Sequence, residues 1–119
     1  MQTRQSTVDN LLDRLAGAGN LSTRRMFGGY CLYLEGTPVG LIFRDQCFVK
    51  WTEAGRAALP DLDEGHPFPG SRPYLVVPAD DLDGWERRVA VARLLRVTLD
   101  ALPPHRPRPR GRGRARAAD

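Results

Sequence analysis

Residues 24–51, RRMFGGYCLYLEGTPVGLIFRDQCFVKW, decide the fold. Their apolar residues come in short β-rich runs broken by two- or three-residue turn signals. Tyr30 to Glu35 is interrupted by Gly36, Pro38 to Arg44 by Asp45-Gln46, and Cys47 to Trp51 closes the series. Runs of this kind predict an antiparallel meander, because so short a connection returns the chain beside itself. An earlier run, Arg24 to Phe27, stops at Gly28-Gly29. Paired glycines there predict a bulge, or a bend at positive φ.

Helices flank this meander. On its N-terminal side Val8, Leu11, Leu12 and Leu15 fall at i, i+3, i+4 and i+7, one helical face. Ser6 followed by Asp9 resembles a capping box, and Gly17 and Gly19 supply the stop, which predicts a helix over about 7–16. On the C-terminal side Thr52 can cap a short helix that ends before Pro60. A loop, acidic and then proline-rich, is expected over 61–70, and a compact strand over Tyr74 to Val77, closed by Pro78. Asp80, Asp81 and Asp83 are expected in the first turn of a long last helix, where the dipole favours negative charge. In that helix Trp85, Val89, Ala92, Leu95, Leu99 and Leu102 step by three or four. This spacing predicts a buried face with Trp85 as its anchor, and an outer ion pair between Asp83 and Arg87. Pro103-Pro104 stops it.

The predicted order is helix, three or four strands, short helix, one or two strands, long helix. Hairpin connections make the sheet mainly antiparallel, so the class is α+β: two layers, with the N-terminal and long C-terminal helices covering one face. The chain's 119 residues amount to one domain, taken as 1–104, followed by a segment over 105–119.

Charge is distributed unevenly. Arg106, Arg108, Arg110, Arg112, Arg114 and Arg116 face only Asp119, giving the last fifteen residues +5 of a total of +4 and leaving the body at −1. Arginine, proline and glycine bury little apolar area, so 105–119 is expected to be disordered. Lys50 is the only lysine among 18 basic residues, a bias that fits a GC-rich bacterial genome. No apolar run approaches the ~18 residues of a membrane span, and the polar first ten residues do not read as a signal peptide. A cytoplasmic location is expected. Cys31 and Cys47, both within apolar runs, read as small buried hydrophobes; a disulfide needs neighbouring strands to place them opposite each other.

Catalytic patterns are missing from the sequence. His66 precedes a proline in the acidic loop and His105 lies in the tail, so neither shares an element with a nucleophile. Asp61-Leu62-Asp63-Glu64-Gly65 lacks the alternation and distal glutamate of a calcium loop. Gly28-Gly29 lacks the lysine and the helix of a phosphate loop. Asp80-Asp81 fits helix capping better than acid–base work. No catalytic, cofactor-binding or metal-binding residue is assigned, and no cofactor. Trp51, Trp85, Tyr30, Tyr33 and Tyr74 read first as packing groups and second as a stacking surface. Arg24 and Arg25 are the best basic contacts in the body.

The motif Arg25-Met26-Phe27-Gly28-Gly29-Tyr30, continuing through Leu32-Tyr33-Leu34-Glu35-Gly36 to Gly40-Leu41-Ile42, resembles the N-terminal domain of the TfoX/Sxy competence regulators. Phe48-Val49-Lys50, Pro67-Phe68 and Tyr74 to Pro78 extend the likeness over about 7–102. Cys31 stands where that family usually has glycine. The resemblance implies a two-layer α+β fold like that of secretion chaperones. The full regulators promote DNA-uptake gene expression with the cyclic-AMP receptor protein, and carry a helical C-terminal domain that finds no counterpart in these 119 residues. The implied role is a non-enzymatic regulatory or protein-interaction module, with a tie to transcriptional regulation or competence. Its protein partner is unknown, and it is expected to be a monomer or a weak homodimer away from membranes. The alternative is weak, sequence-independent contact with nucleic acid through the six tail arginines, which can follow a phosphate backbone without reading bases.

Overall fold

The computed structural model describes residues 4–26 and 28–103. The 105–119 segment, with its six arginines, and Phe27 of the glycine motif lie outside the described residues.

Helix α1 (Gln5–Arg14) and a 3-10 turn (Ala16–Ala18) lead into β1 (Leu21–Met26), β2 (Gly29–Leu34), β3 (Thr37–Phe43) and β4 (Gln46–Lys50). Helix α2 (Glu53–Ala58), β5 (Glu64–Gly65), β6 (Tyr74–Val77), a second 3-10 turn (Ala79–Asp83) and α3 (Trp85–Ala101) follow. The six strands form one sheet, ordered β1-β2-β3-β4-β6-β5, with every pair antiparallel. The fold is α+β with the helices on one face, as the period changes in the sequence predict.

Strand alternation sorts the sheet into two faces. Tyr30, Ile42, Cys47 and Val77 pair in sequence across β2, β3, β4 and β6, and all are buried. With Leu32, Leu34, Val49 and Leu75 they form the core with Val8, Leu11 and Leu15 of the first helical segment and Val91, Leu94 and Leu95 of α3. The next row, Cys31, Leu41, Phe48 and Val76, pairs across the same strands one residue out of step and so points the other way. Cys31 and Cys47 thus sit on opposite faces, and no disulfide can join them; both thiols are free.

Two connections explain the meander's turns. Glu35 and Gly36 have φ of 51° and 81°, and Arg44 and Asp45 have φ of 53° and 62°, the left-handed pairs that two-residue hairpins need. The second turn uses no glycine, and Asp45 has a further role. Its carboxylate accepts from the Arg4 backbone N–H at 3.1 Å and from Thr7 Oγ1 at 2.8 Å, capping α1 from across the molecule. The Ser6–Asp9 box is therefore not what starts this helix: Arg4 is the N-cap, and no side chain within the helix caps it. Thr52 does cap α2, accepting from Gly55 N at 2.9 Å.

The long helix departs from the predicted reading in three ways. Asp80, Asp81 and Asp83 belong to the 3-10 turn, and α3 begins only at Trp85. Asp83 pairs with Arg14 and Arg87 with Asp61, each at 2.8 Å, rather than with each other. The buried residues of α3 are Val91, Leu94, Leu95 and Thr98, while Trp85 is 70% exposed and Val89 48%. Trp85 is not a core anchor.

Candidate functional site

The glycine motif is a packing device. Gly28 has φ of 73°, and the Phe43 ring edge lies 2.8 Å from where its Cβ would stand. A Cβ on Gly29 would collide with the Ile42 carbonyl of the neighbouring strand. Phe43 pairs with Gly29, so its ring closes over both glycines, and Arg44 stacks on that ring at 5.5 Å. Tyr30 is buried, donating its hydroxyl to Gln5 Oε1 at 2.9 Å, with the Arg25 guanidinium 6.0 Å from its ring. Met26 is exposed at the end of β1. Met26, Gly28, Gly29 and Tyr30 thus build a strand bend and do not converge on a reactive centre.

The acidic candidates are dispersed. Asp61 pairs with Arg87, while Glu64 accepts from Trp51 Nε1 at 3.0 Å and faces Arg56. His66 Nδ1 meets the Ser71 carbonyl at 2.8 Å. Among the described residues no three His, Cys, Asp or Glu side chains come close enough to hold a metal ion. Burial pushes the Cys47 thiol up to about 12, which leaves it protonated and inert. No helix among the described residues is long and apolar enough to cross a membrane.

Two surfaces remain. The first runs along the outside of α3. Trp85, Val89, Ala92 and Arg96 fall at i, i+4, i+7 and i+11, a stripe exposed at Trp85, Val89 and Arg96 and half-buried at Ala92. Beside Trp85, a groove of about 340 Å³ is lined by Val89 and Ala92 with Arg14, Gly17, Arg88, Arg93 and Arg96. Arg88 is fixed by donating to the Leu82 carbonyl at 2.6 Å, and Arg96 reaches toward Glu35 at 3.8 Å. The groove is an apolar floor with an arginine rim and an exposed indole in line with it. Sequence reasoning missed it because the stripe's spacing mimics a core face; the arginines at 93 and 96 were the available signal.

The second surface is the sheet face away from the helices. Leu41 and Phe48, 9% and 6% exposed, are buried yet belong to no part of the main core. Half-buried Tyr33, Phe43, Tyr74 and Val76 surround them. The Tyr33 phenol is raised above its ordinary value by burial first and by Cys31 next, with Arg24 opposing. Tyr74 is raised in the same way, burial first and Cys31 next, with Arg72 opposing. Tyr33, Tyr74, Cys31 and the two guanidinium groups therefore share one neighbourhood. Of the five aromatic candidates, the structure brings Tyr33 and Tyr74 to this face, with Trp51 at its rim, and separates Tyr30 and Trp85 from them.

A small α+β domain with one open sheet face, and with no convergent reactive groups among the described residues, is the class this geometry defines. Residues 13–102 match the model of the TfoX N-terminal domain, and the chain belongs to that family. It is similar to a protein of Spirochaeta aurantia, an uncharacterized 12.7 kDa protein in the trpE 5′ region. The two are 36% identical over 108 residues, spanning 91% of this chain and 90% of that one.

Proposed function

We propose that this chain is a non-enzymatic, cytoplasmic bacterial module that regulates by binding another protein, and that the partner docks along the Trp85–Arg96 stripe. The observation that carries this reading is the exposed Trp85, aligned with an arginine-rimmed apolar groove. Tryptophan and arginine dominate binding energy at protein interfaces, and an indole that is 70% exposed adds little to the stability of the domain. Membership of the TfoX N-terminal family supports a regulatory setting, with transcriptional control or competence as the process. The arginine rim selects an acidic partner segment. A second copy docked by the same stripe would set four arginines against four, so the protein is a monomer, or a weak homodimer through another face.

The test is affinity capture in the native host with the intact chain and with Trp85→Ala/Val89→Ser. The double variant should fold with the wild-type circular-dichroism spectrum and lose a specific partner. Identical partners captured by both chains would refute the assignment of this stripe.

A further inference from the structure

We infer that the open sheet face is a binding platform for single-stranded nucleic acid, a surface distinct from the protein-docking stripe and independent of it. Three observations on this face converge. Its half-buried tyrosines, Tyr33 and Tyr74, lie on β2 and β6. Bases stack on such rings regardless of sequence. Cations flank the rings: Arg24 pairs with Cys31, Lys50 pairs with Tyr74, and Arg72 acts on the Tyr74 phenol. None of these three is held in an ion pair with a described carboxylate.

Most negative charge is drawn away to the other side. Asp45 caps α1, Asp83 and Asp61 pair with Arg14 and Arg87, and Glu35 faces Arg96. Glu64 is held by Trp51 Nε1 at 3.0 Å, with Arg56 on its other side. Along the outward rows of the six strands no residue is acidic. Asp63, just before β5 and bonded through its carbonyl to Val76 N, is the acid that alternation brings to this side, at the sheet's edge. A body of net charge −1 thus presents a cationic, aromatic face.

The third observation is a cavity of about 460 Å³ at the Lys50 end, walled by Lys50, Trp51, Arg72 and Tyr74 and large enough to admit a base. Leu102 and Pro103 complete its lining. A strand lying across Tyr74 and Tyr33 sets its phosphates near Lys50, Arg72 and Arg24. Duplex DNA cannot present its bases to a flat sheet in this way, and an acidic peptide offers no rings to stack.

Fluorescence anisotropy of the full chain, titrated into labelled oligothymidylate and oligouridylate at low salt, tests the assignment. Both probes should bind, and more tightly than a duplex of equal length. Tyr33→Ala/Tyr74→Ala should weaken binding by about tenfold or more, since each stacked base contributes ~1–3 kcal/mol. Tyr33→Phe/Tyr74→Phe should restore it. Arg24→Gln/Arg72→Gln should make the log–log salt slope shallower by about 1.4, at roughly 0.7 per phosphate contact on a single strand. Trp85→Ala/Val89→Ser should leave binding unchanged, so loss of the docking reading would not touch this one. Circular dichroism confirms that each variant folds; if the alanine pair does not fold, the arginine pair decides.

Unchanged affinity and slope in the variants would overturn the proposal and move all binding to the tail. Tighter binding of duplex would overturn it as well. Polyglutamate bound as tightly as the oligonucleotides would make the face an acidic-peptide site instead.

Discussion

Replacing Trp85 with alanine separates the two readings of the last helix. A tryptophan presents roughly 250 Å². With 70% of it in water, about 75 Å² is shielded, worth at most ~2 kcal/mol at ~25 cal/mol per Å². Alanine returns up to ~0.7 kcal/mol through its better helix propensity, and the freed indole recovers side-chain entropy. The net cost is therefore about 1 kcal/mol or less. A core tryptophan would cost ~3–5 kcal/mol. Leu95→Ala provides the internal standard, because Leu95 is fully buried in the same helix and should cost ~2–5 kcal/mol. Urea denaturation of the three chains, with slopes checked for equality, measures both differences. A Trp85→Ala cost of 3 kcal/mol or more would refute the outward placement of this stripe, and with it the docking site.

Other perturbations address the sheet and its turns. Gly29→Ala should destabilise by ~1–3 kcal/mol, since the new methyl group meets the Ile42 carbonyl and must push β2 from β3; an unchanged denaturation midpoint would contradict the register. Asp45→Ala should cost ~0.5–2 kcal/mol through the lost cap on α1, read by the same titration. The Asp45 carboxyl is held below its usual 3.8, chiefly by the Arg4 N–H and then by Thr7, so its contribution is complete above that pH and fades as pH falls through the lower folded value. Asp45→Asn should remove that part of the acid dependence of stability, and an unaltered profile would exclude the link. A thiol reagent at neutral pH should modify one cysteine of the native chain, Cys31, and both in guanidinium; rapid native reaction of Cys47, buried with its thiol pushed up to about 12, would contradict its place in the core.

The parts of the fold legible in the sequence are those fixed by neighbours along the chain. Val8, Leu11 and Leu15 show the buried face of α1 because polar residues fill the rest of the helix. Gly36 and Asp45 mark the hairpins because φ is a local property, and Thr52 caps α2 from three residues away. The cap on α1 was not legible, because Asp45 lies 38 residues from Thr7 and its role exists only once β3 and β4 pair. The face of α3 misleads for another reason. Val89, Ala90, Val91, Ala92, Leu94, Leu95, Val97 and Leu99 are apolar almost all round, so two stripes satisfy the helical period. Packing chooses between them, and it chooses the one without arginine.

The charged face was hidden by arithmetic. A net charge of −1 over the body gives no hint of a basic surface, because a sum discards position. Antiparallel alternation assigns Arg24, Lys50 and the aromatics between them to one side of the sheet. The hairpin turns and helix ends hold Glu35, Asp45, Asp61 and Asp83 on the other, each bound to an arginine or to a helix start. An acid engaged that way cannot screen a surface across the sheet, since exposed charges separated by about a Debye length of ~8–10 Å hardly interact at physiological salt. The sheet face therefore presents a basic surface to an approaching anion, whatever the net charge of the body. Neutralising the acids, for example Asp61→Asn, should change the affinity for single strands far less than removing Arg24 or Arg72. The same anisotropy titration measures the difference, and an equal effect from both sides would mean that net charge, not its placement, governs association.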